Sequence, residues 1–180
     1  MAAVRQLPRL MADNPPSDIG SEEAVIAAIL MDSKRCFEEE RIQDILEPGD
    51  FYRAHNGWVY AASRVVGGDS VTLAFHLDAN TDWAPEGGWL DYLLTIEQKF
   101  YTAIGVEAHA RQVARLAFSR RLMGAVHDIA QFILDNETTA TVLLEQAHAV
   151  LGSLKQPAMR ATGIGGGPGL GLSVESLFSE

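Results

Sequence analysis

Cysteine and long apolar runs are almost missing from this sequence of 180 residues. The single cysteine, Cys36, excludes an internal disulfide framework and a cysteine-rich zinc site, and is interpreted as a small apolar residue. No run approaches the roughly 18 apolar residues that a membrane span needs. The first residues also lack the apolar core of a secretory signal. The sequence therefore predicts a cytoplasmic protein with no membrane partner.

Basic residues are scarce too, with 14 Lys and Arg against 24 Asp and Glu and a formal charge of −10. This balance argues against a segment that binds a nucleic-acid backbone by itself. The acids concentrate between residues 22 and 50, and the bases between residues 99 and 121. Such asymmetry favours contact between unlike surfaces, within a subunit or between subunits. The open alternative is that the acidic and the basic region are both simply exposed to solvent.

Strand-like patterning is weak, because only Val71-Thr72-Leu73 has an extended pattern. Apolar residues at helical spacing instead predict an all-α fold. A buried central helix is expected over residues 24–31, with Ser21 as its cap. Further helices are predicted from about Phe37 to Pro48, with Ile42, Ile45 and Leu46 facing inward, and through residues 58–66. A short extended turn at residues 69–72 is expected before a helix over residues 73–77 that Thr72 caps, and another helix is expected over residues 89–98.

The longest helical pattern covers residues 104–134 and contains no proline. Its two halves carry apolar stripes on nearly opposite faces: Val106, Ala110, Val113 and Ala117 in the first, and Leu122, Val126, Ile129 and Ile133 in the second. Thr138 or Thr139 can cap a further helix, whose stripe is Leu143, Ala147, Val150 and Leu154. The short connection favours an antiparallel hairpin. We expect the first half to pack on a globular head and the second half on the returning helix.

A change of composition follows residue 154. Residues 163–171 contain six glycines and one proline, which is typical of a flexible linker. A phosphate-binding loop is excluded, because no lysine follows the glycines and no G-x-G-x-x-G is in register. The sequence thus predicts a flexible arm (residues 1–16), a small helical head (residues 17–100), a protruding hairpin (residues 101–154) and a Gly-rich linker towards a missing C-terminal region (residues 155–180).

Candidate catalytic groups do not combine into a site. Glu145 and His148 have the i, i+3 spacing of half a di-iron motif, but no second copy exists. His127 lies beside Asp128 without a nucleophile-elbow context. The aromatic residues are interpreted as core and hinge packing rather than base stacking, because their surroundings are acidic. No catalytic, cofactor or metal residue is predicted for this segment, and a helical di-metal enzyme is the weaker alternative.

Several short motifs resemble the N-terminal domain of DnaB-type replicative DNA helicases. The first is Ser21-Glu22-Glu23-Ala24-Val25 followed by Ile29-Leu30-Met31-Asp32, and the second is Asp50-Phe51-Tyr52 with His55 and Tyr60. The others are Asp69 with Val71-Thr72-Leu73, Gly87-Gly88 with Tyr92-Leu93, and Arg111, Val113, Arg120-Arg121-Leu122 and Ile129 on the long helix. The resemblance covers about residues 14–154, in the family's order. The family's asparagine and tyrosine near the start of the long helix are Val106 and His109 here.

The resemblance implies a hexameric, ATP-dependent helicase of bacterial or phage replication. Its motor domain, with ATP, Mg²⁺ and most of the DNA contacts, would follow the linker. The N-terminal domains would form a collar by pairing through their hairpins, and would dock primase or a helicase loader. A free-standing adaptor or helicase inhibitor that lacks the motor is the remaining alternative.

Residues of the hairpin are the candidates for self-association and partner binding. They are basic and apolar side chains that lie outside the apolar stripes predicted to pack within the chain, and could therefore contact a second subunit or a partner: Arg111, Arg115, Leu116, Arg120, Arg121, Met123 and Leu144.

Overall fold

The computed structural model describes residues 15–100, 102, 104–135 and 139–154. These residues form six α-helices: α1 Ile19–Lys34, α2 Ala54–Val66, α3 Ser70–Asn80, α4 Gly88–Lys99, α5 Val106–Asp135 and α6 Ala140–Gly152. No strand occurs among them, so the prediction of an all-α fold is confirmed. The predicted flexible arm, apart from residues 15 and 16, and the Gly-rich linker lie outside the described residues.

Helix α1 is the centre of the fold. Residues 24–30 are buried, as their all-round apolar pattern predicts, whereas Met31 at the end of that pattern is exposed. The polar residues Ser21, Glu22 and Glu23 are buried as well. The cap differs from the prediction, because Asp18 and not Ser21 is the N-cap. The Ser21 N–H donates to Asp18 Oδ1 at 3.0 Å, and the Ser21 hydroxyl donates to Asp18 Oδ2. These bonds hold the pKa of Asp18 below its usual value, since they favour the charged carboxylate.

The helix predicted from Phe37 is wrong. The chain instead forms a single π-helical turn at Arg35–Glu39 and short 3-10 turns at Ile42–Asp44 and Pro48–Asp50. Arg41 has a positive φ of 51°, a left-handed conformation that interrupts a right-handed helix. Ile42 and Leu46 are nevertheless buried, as their spacing predicts. Cys36 is also buried, and burial raises the pKa of its thiol to about 11.

The extended turn predicted at residues 69–72 is wrong as well. Helix α3 already begins at Ser70, because Asp69 caps it by accepting the Thr72 N–H at 2.8 Å. The helix then continues to Asn80. The capped helix therefore forms in spite of the β-branched residues at its start, and it buries Leu73 and Leu77 in the head.

Helix α5 joins the head to the hairpin. Its first-half stripe of Val106, Ala110, Val113 and Ala117 is buried, and α5 packs against α1. Beyond the middle of α5, Ile129, Phe132 and Ile133 line one cavity together with Leu143, Leu144 and Ala147 of α6, and the two helices pack on each other. Because only residues 136–139 connect them, α6 folds back along α5, and the predicted antiparallel hairpin is confirmed. The predicted cap residue Thr139 precedes α6 but makes no side-chain capping bond.

Candidate assembly and docking surfaces

A buried carboxylate fixes the centre of the head. Glu22 is only 1% exposed and accepts the Tyr52 N–H at 2.5 Å, the Arg53 N–H at 3.2 Å and the Asn56 amide at 3.0 Å. The two backbone donors belong to the turn that begins α2, whose first N–H groups have no partner inside the helix. Asn56 in turn accepts the Tyr92 hydroxyl of α4. Glu22 therefore joins three helices and has a structural role.

An aromatic groove opens beside this centre. Its volume is about 580 Å³, and it lies between α2, the end of α3 and the loop after α3. We define the aromatic groove by its lining residues: Trp58, Ala61, Ala62, Val65, His76, Leu77, Asn80, Thr81, Asp82 and Trp83. Trp58 and Trp83 are 39% and 46% exposed. Packing therefore leaves a large part of both tryptophans uncovered.

Further rings support the aromatic groove from inside. Trp89 is buried and contacts Trp58 and Trp83 with ring centroids 6.3 and 5.8 Å apart. His55 stacks on Trp83 at 5.3 Å and meets the edge of Tyr92 at 5.1 Å. Burial lowers the pKa of His55, because desolvation disfavours the imidazolium. These rings form one connected cluster, of which the sequence predicted the packing but not the exposed surface.

Two of the predicted partner residues, Arg120 and Arg121, hold α5 to the head. Arg120 donates to the backbone oxygens of Pro16, at 2.7 Å, and Asp50, and its guanidinium lies 5.7 Å from the centroid of the Tyr52 ring. Arg121 pairs with the buried Asp50 carboxylate at 2.7 Å. The other oxygen of that carboxylate accepts the Glu47 N–H at 2.9 Å. We call these contacts the arginine clamp.

Replacing Arg121 with glutamine is expected to lower the free energy of unfolding by about 1–2 kcal/mol. The Asp50 carboxylate would stay buried without its cation, and the cost is below the roughly 3–5 kcal/mol of a fully buried pair because Arg121 is partly exposed. Urea titrations of Arg121→Gln, Asp50→Asn and the double variant measure the coupling between the two residues. Arg115→Gln is the control, since Arg115 is exposed. Additive effects of the two changes would contradict the clamp.

The remaining predicted partner residues lie along the hairpin. Arg111 is half-buried and pairs with Glu107 at 2.7 Å, whereas Arg115 is exposed and donates to Gln112. Leu116 and Met123 are half-buried on α5. Leu144 is 60% exposed on α6, although it also lines the cavity between the two helices. The structure therefore does not bring these residues into a single patch.

The outer hairpin carries more exposed apolar surface than the sequence predicted. Leu122 and Val126, which were expected to pack on α6, are 39% and 40% exposed. Not one residue of α6 is buried. We define the hairpin face by its exposed large apolar residues: Leu122, Val126, Phe132, Ile133, Leu134, Val142, Leu144 and Leu151. A cavity of about 240 Å³ opens among Ile129, Phe132, Ile133 and the facing residues of α6.

Glu145 and His148, which have the spacing of half a di-iron motif, are both exposed on α6. Within the described ranges, no group of three or more His, Cys, Asp or Glu side chains is arranged to hold a metal ion. None of the helices described is both long enough and apolar enough to cross a bilayer.

Comparison with known proteins places this architecture in one family. Residues 14–115 match the family model described as DnaB-like helicase N terminal domain. The chain is 32% identical to the replicative DNA helicase DnaC of Bacillus subtilis and 33% identical to the replicative DNA helicase DnaB of Geobacillus stearothermophilus, in each case over 147 residues. Each alignment covers 79% of this chain but 32% of the relative, so the chain spans about a third of their length.

A solved structure shows the same fold. The N-terminal domain of DnaB helicase from Mycobacterium tuberculosis aligns with a TM-score of 0.65 and 29% sequence identity, over 79% of this chain and all of that domain. The overall fold thus recurs in a protein whose sequence is also similar. The chain belongs to the family of DnaB-like helicase N-terminal domains.

Proposed function

We propose that this chain is the assembly and partner-docking region of a hexameric, ATP-dependent replicative DNA helicase. The relatives named as replicative helicases are about three times as long as the matched region, which leaves room for a motor domain after the linker. In this proposal ATP, Mg²⁺ and most of the DNA contacts belong to that motor domain. The excess of acidic residues in this chain supports the same division of roles, because acidic surfaces repel phosphate.

The observation that carries the proposal is the hairpin face. Helix α6 has 13 residues, and a helix of that length is marginal without tertiary packing. Its leucines and valines are left at least partly exposed, although burying apolar surface stabilises a protein by about 25 cal/mol per Å². A second hairpin packed on this face would cover the side chains on one side of α6, such as Leu144 and Leu151, which lie seven residues apart and therefore nearly in line along the helix. Such a contact uses the same surface on both copies, which suits closed symmetry.

Replacing Leu144 with aspartate is expected to weaken self-association at least tenfold. Burying a leucine contributes about 1.5–3 kcal/mol, and about 1.4 kcal/mol corresponds to a factor of ten in affinity. Sedimentation equilibrium measures the dissociation constant directly. The head should stay folded in this variant, because Leu144 is 60% exposed within one chain.

Val71→Asp is the matched control. Val71 is 48% exposed but lies on α3 of the head, away from the hairpin face. We expect this variant to self-associate like the unmodified chain. If Leu144→Asp leaves the mass distribution unchanged, or if both variants weaken association equally, the hairpin face is not the assembly surface.

Partner docking and the motor domain are tested separately. The coding sequence downstream of Glu180 is expected to contain G-x-x-x-x-G-K-[ST], the loop that binds nucleotide phosphates. An open reading frame that ends without this motif would instead favour a free-standing adaptor.

Purified primase and helicase loader from the same organism should be retained by the immobilised chain, and retention of neither would remove the docking part of the proposal.

A further inference from the structure

The aromatic groove is separate from the hairpin face and takes no part in the proposed assembly. We propose that the basic N-terminal arm of the same chain, residues 4–11, docks into this groove. The sequence of this segment is Val-Arg-Gln-Leu-Pro-Arg-Leu-Met. It combines four large apolar side chains with two arginines, and the groove combines two half-exposed tryptophans with the carboxylate of Asp82.

The arm begins close enough to reach the groove. Pro16 and Asp50 both bind the guanidinium of Arg120 through their backbone oxygens, so their carbonyl groups are neighbours. From Asp50 to Trp58 the chain has four non-helical steps and about one helical turn, which together span at most about 20 Å. Leu7 precedes Pro16 by nine residues, a stretch that extends to about 30 Å. The arm is therefore long enough for its middle to reach Trp58 of the same chain.

The chemistry of the arm fits an aromatic surface. Pro8 fixes its own φ and pushes Leu7 towards an extended conformation, so less conformational entropy is lost when the segment binds. Extended proline-containing segments bind aromatic-lined grooves in several peptide-recognition domains. Arg5 or Arg9 can stack on a tryptophan ring or pair with Asp82. Leu7 and Leu10 supply the apolar surface that covers Trp58 and Trp83.

Charge distinguishes the arm from the C-terminal segment as the occupant. Residues 173–180 carry Glu175 and Glu180 and no basic residue, so they would bring like charges towards Asp82. The arm carries Arg5 and Arg9 against one acid, Asp13. Opposite charges steer a segment to its site.

Tryptophan fluorescence tests this inference in the full chain. The chain contains three tryptophans, Trp58, Trp83 and Trp89, and all three belong to this cluster. In the variant Leu7→Asp/Leu10→Asp we expect a red shift of the emission and faster quenching by acrylamide, because Trp58 and Trp83 lose their cover. Val65→Lys should produce the same change, since Val65 lines the groove and is 74% exposed. Val71→Lys, outside the groove, should leave the emission unchanged.

A second measurement separates docking from loss of folding. A chain that lacks residues 2–13 should melt as a folded domain and show the same red shift, and a synthetic peptide of residues 1–14 should reverse the shift in a saturable titration. A peptide with Leu7→Asp and Leu10→Asp should not. Emission that is identical in all arm variants, or a peptide that never saturates, overturns the proposal. A red shift on simple dilution of the unmodified chain would assign the groove to a second copy and would also overturn it.

Discussion

Replacing Glu22 with alanine is expected to lower the free energy of unfolding by about 3–5 kcal/mol and the melting temperature by about 10 °C. The side chain is 1% exposed and accepts three hydrogen bonds. Its removal leaves two backbone N–H groups and the Asn56 amide without their acceptor. Each buried donor that loses its partner costs about 1–3 kcal/mol. Urea unfolding followed by circular dichroism gives the change directly.

Two further variants identify the cause of this loss. Glu22→Gln keeps the shape of the side chain but replaces one acceptor oxygen with a donor amide, which then faces hydrogen-bond donors. We expect an intermediate loss. Glu38→Ala should change the stability by less than about 0.5 kcal/mol, because Glu38 is exposed and makes only a long ion pair with Lys34 at 4.0 Å. A Glu22→Ala chain as stable as Glu38→Ala would show that the carboxylate does not hold the head together.

The sequence predicted those parts of the fold that depend on local periodicity. The all-round apolar run of α1 and the first stripe of α5 are both buried as expected. A stripe of this kind repeats over several turns, so one exception does not hide it. The antiparallel hairpin followed from the same reasoning, since a short connection between two amphipathic helices allows few arrangements.

Short elements were predicted less well, because single residues decide them. The left-handed conformation of Arg41 interrupts the helix that was expected from Phe37. Arginine rarely adopts this conformation, so the sequence does not predict it. At residue 69, an aspartate cap outweighs the β-branched residues that suggested an extended turn. After Phe37 the whole predicted helix is absent, although Ile42 and Leu46 are buried as expected, whereas at residue 69 the error lies only at the start of a helix.

The candidate sites depend on contacts between residues far apart in the chain. The sequence identified Arg120 and Arg121 as candidates for self-association and partner binding, but the structure pairs them with Asp50 and Pro16 of the same chain. Glu22 lies in the first turn of α1, where the helix dipole alone would account for an anion, whereas the backbone groups that bind it lie about thirty residues later. Likewise, Trp58 and Trp83 meet only after folding. Spacing along the chain carries no signal for any of these pairs.

Gly57→Ala and Gly124→Ala are expected to change stability in opposite directions, although both replace a glycine inside a helix. A Cβ at Gly57 would lie 2.3 Å from the backbone oxygen of Pro48, a contact that forces the 3-10 turn at Pro48–Asp50 away from α2. We expect a loss of about 3 kcal/mol, the upper part of the range for overpacking in a close-packed interior. A Cβ at Gly124 would meet nothing within 4 Å.

At Gly124 only the backbone effect remains. Alanine restricts the unfolded chain and favours the helix, so Gly124→Ala should gain about 0.5–1 kcal/mol. Both substitutions are best measured in a chain that also carries Leu144→Asp, so that self-association does not contribute to the measured stability. Because helix propensity acts equally in the two helices, the difference of about 4 kcal/mol isolates the contact with Pro48. If both variants shift the urea midpoint in the same direction, α2 does not pack against this turn as closely as described, and the placement of Asp50 in the arginine clamp is wrong as well.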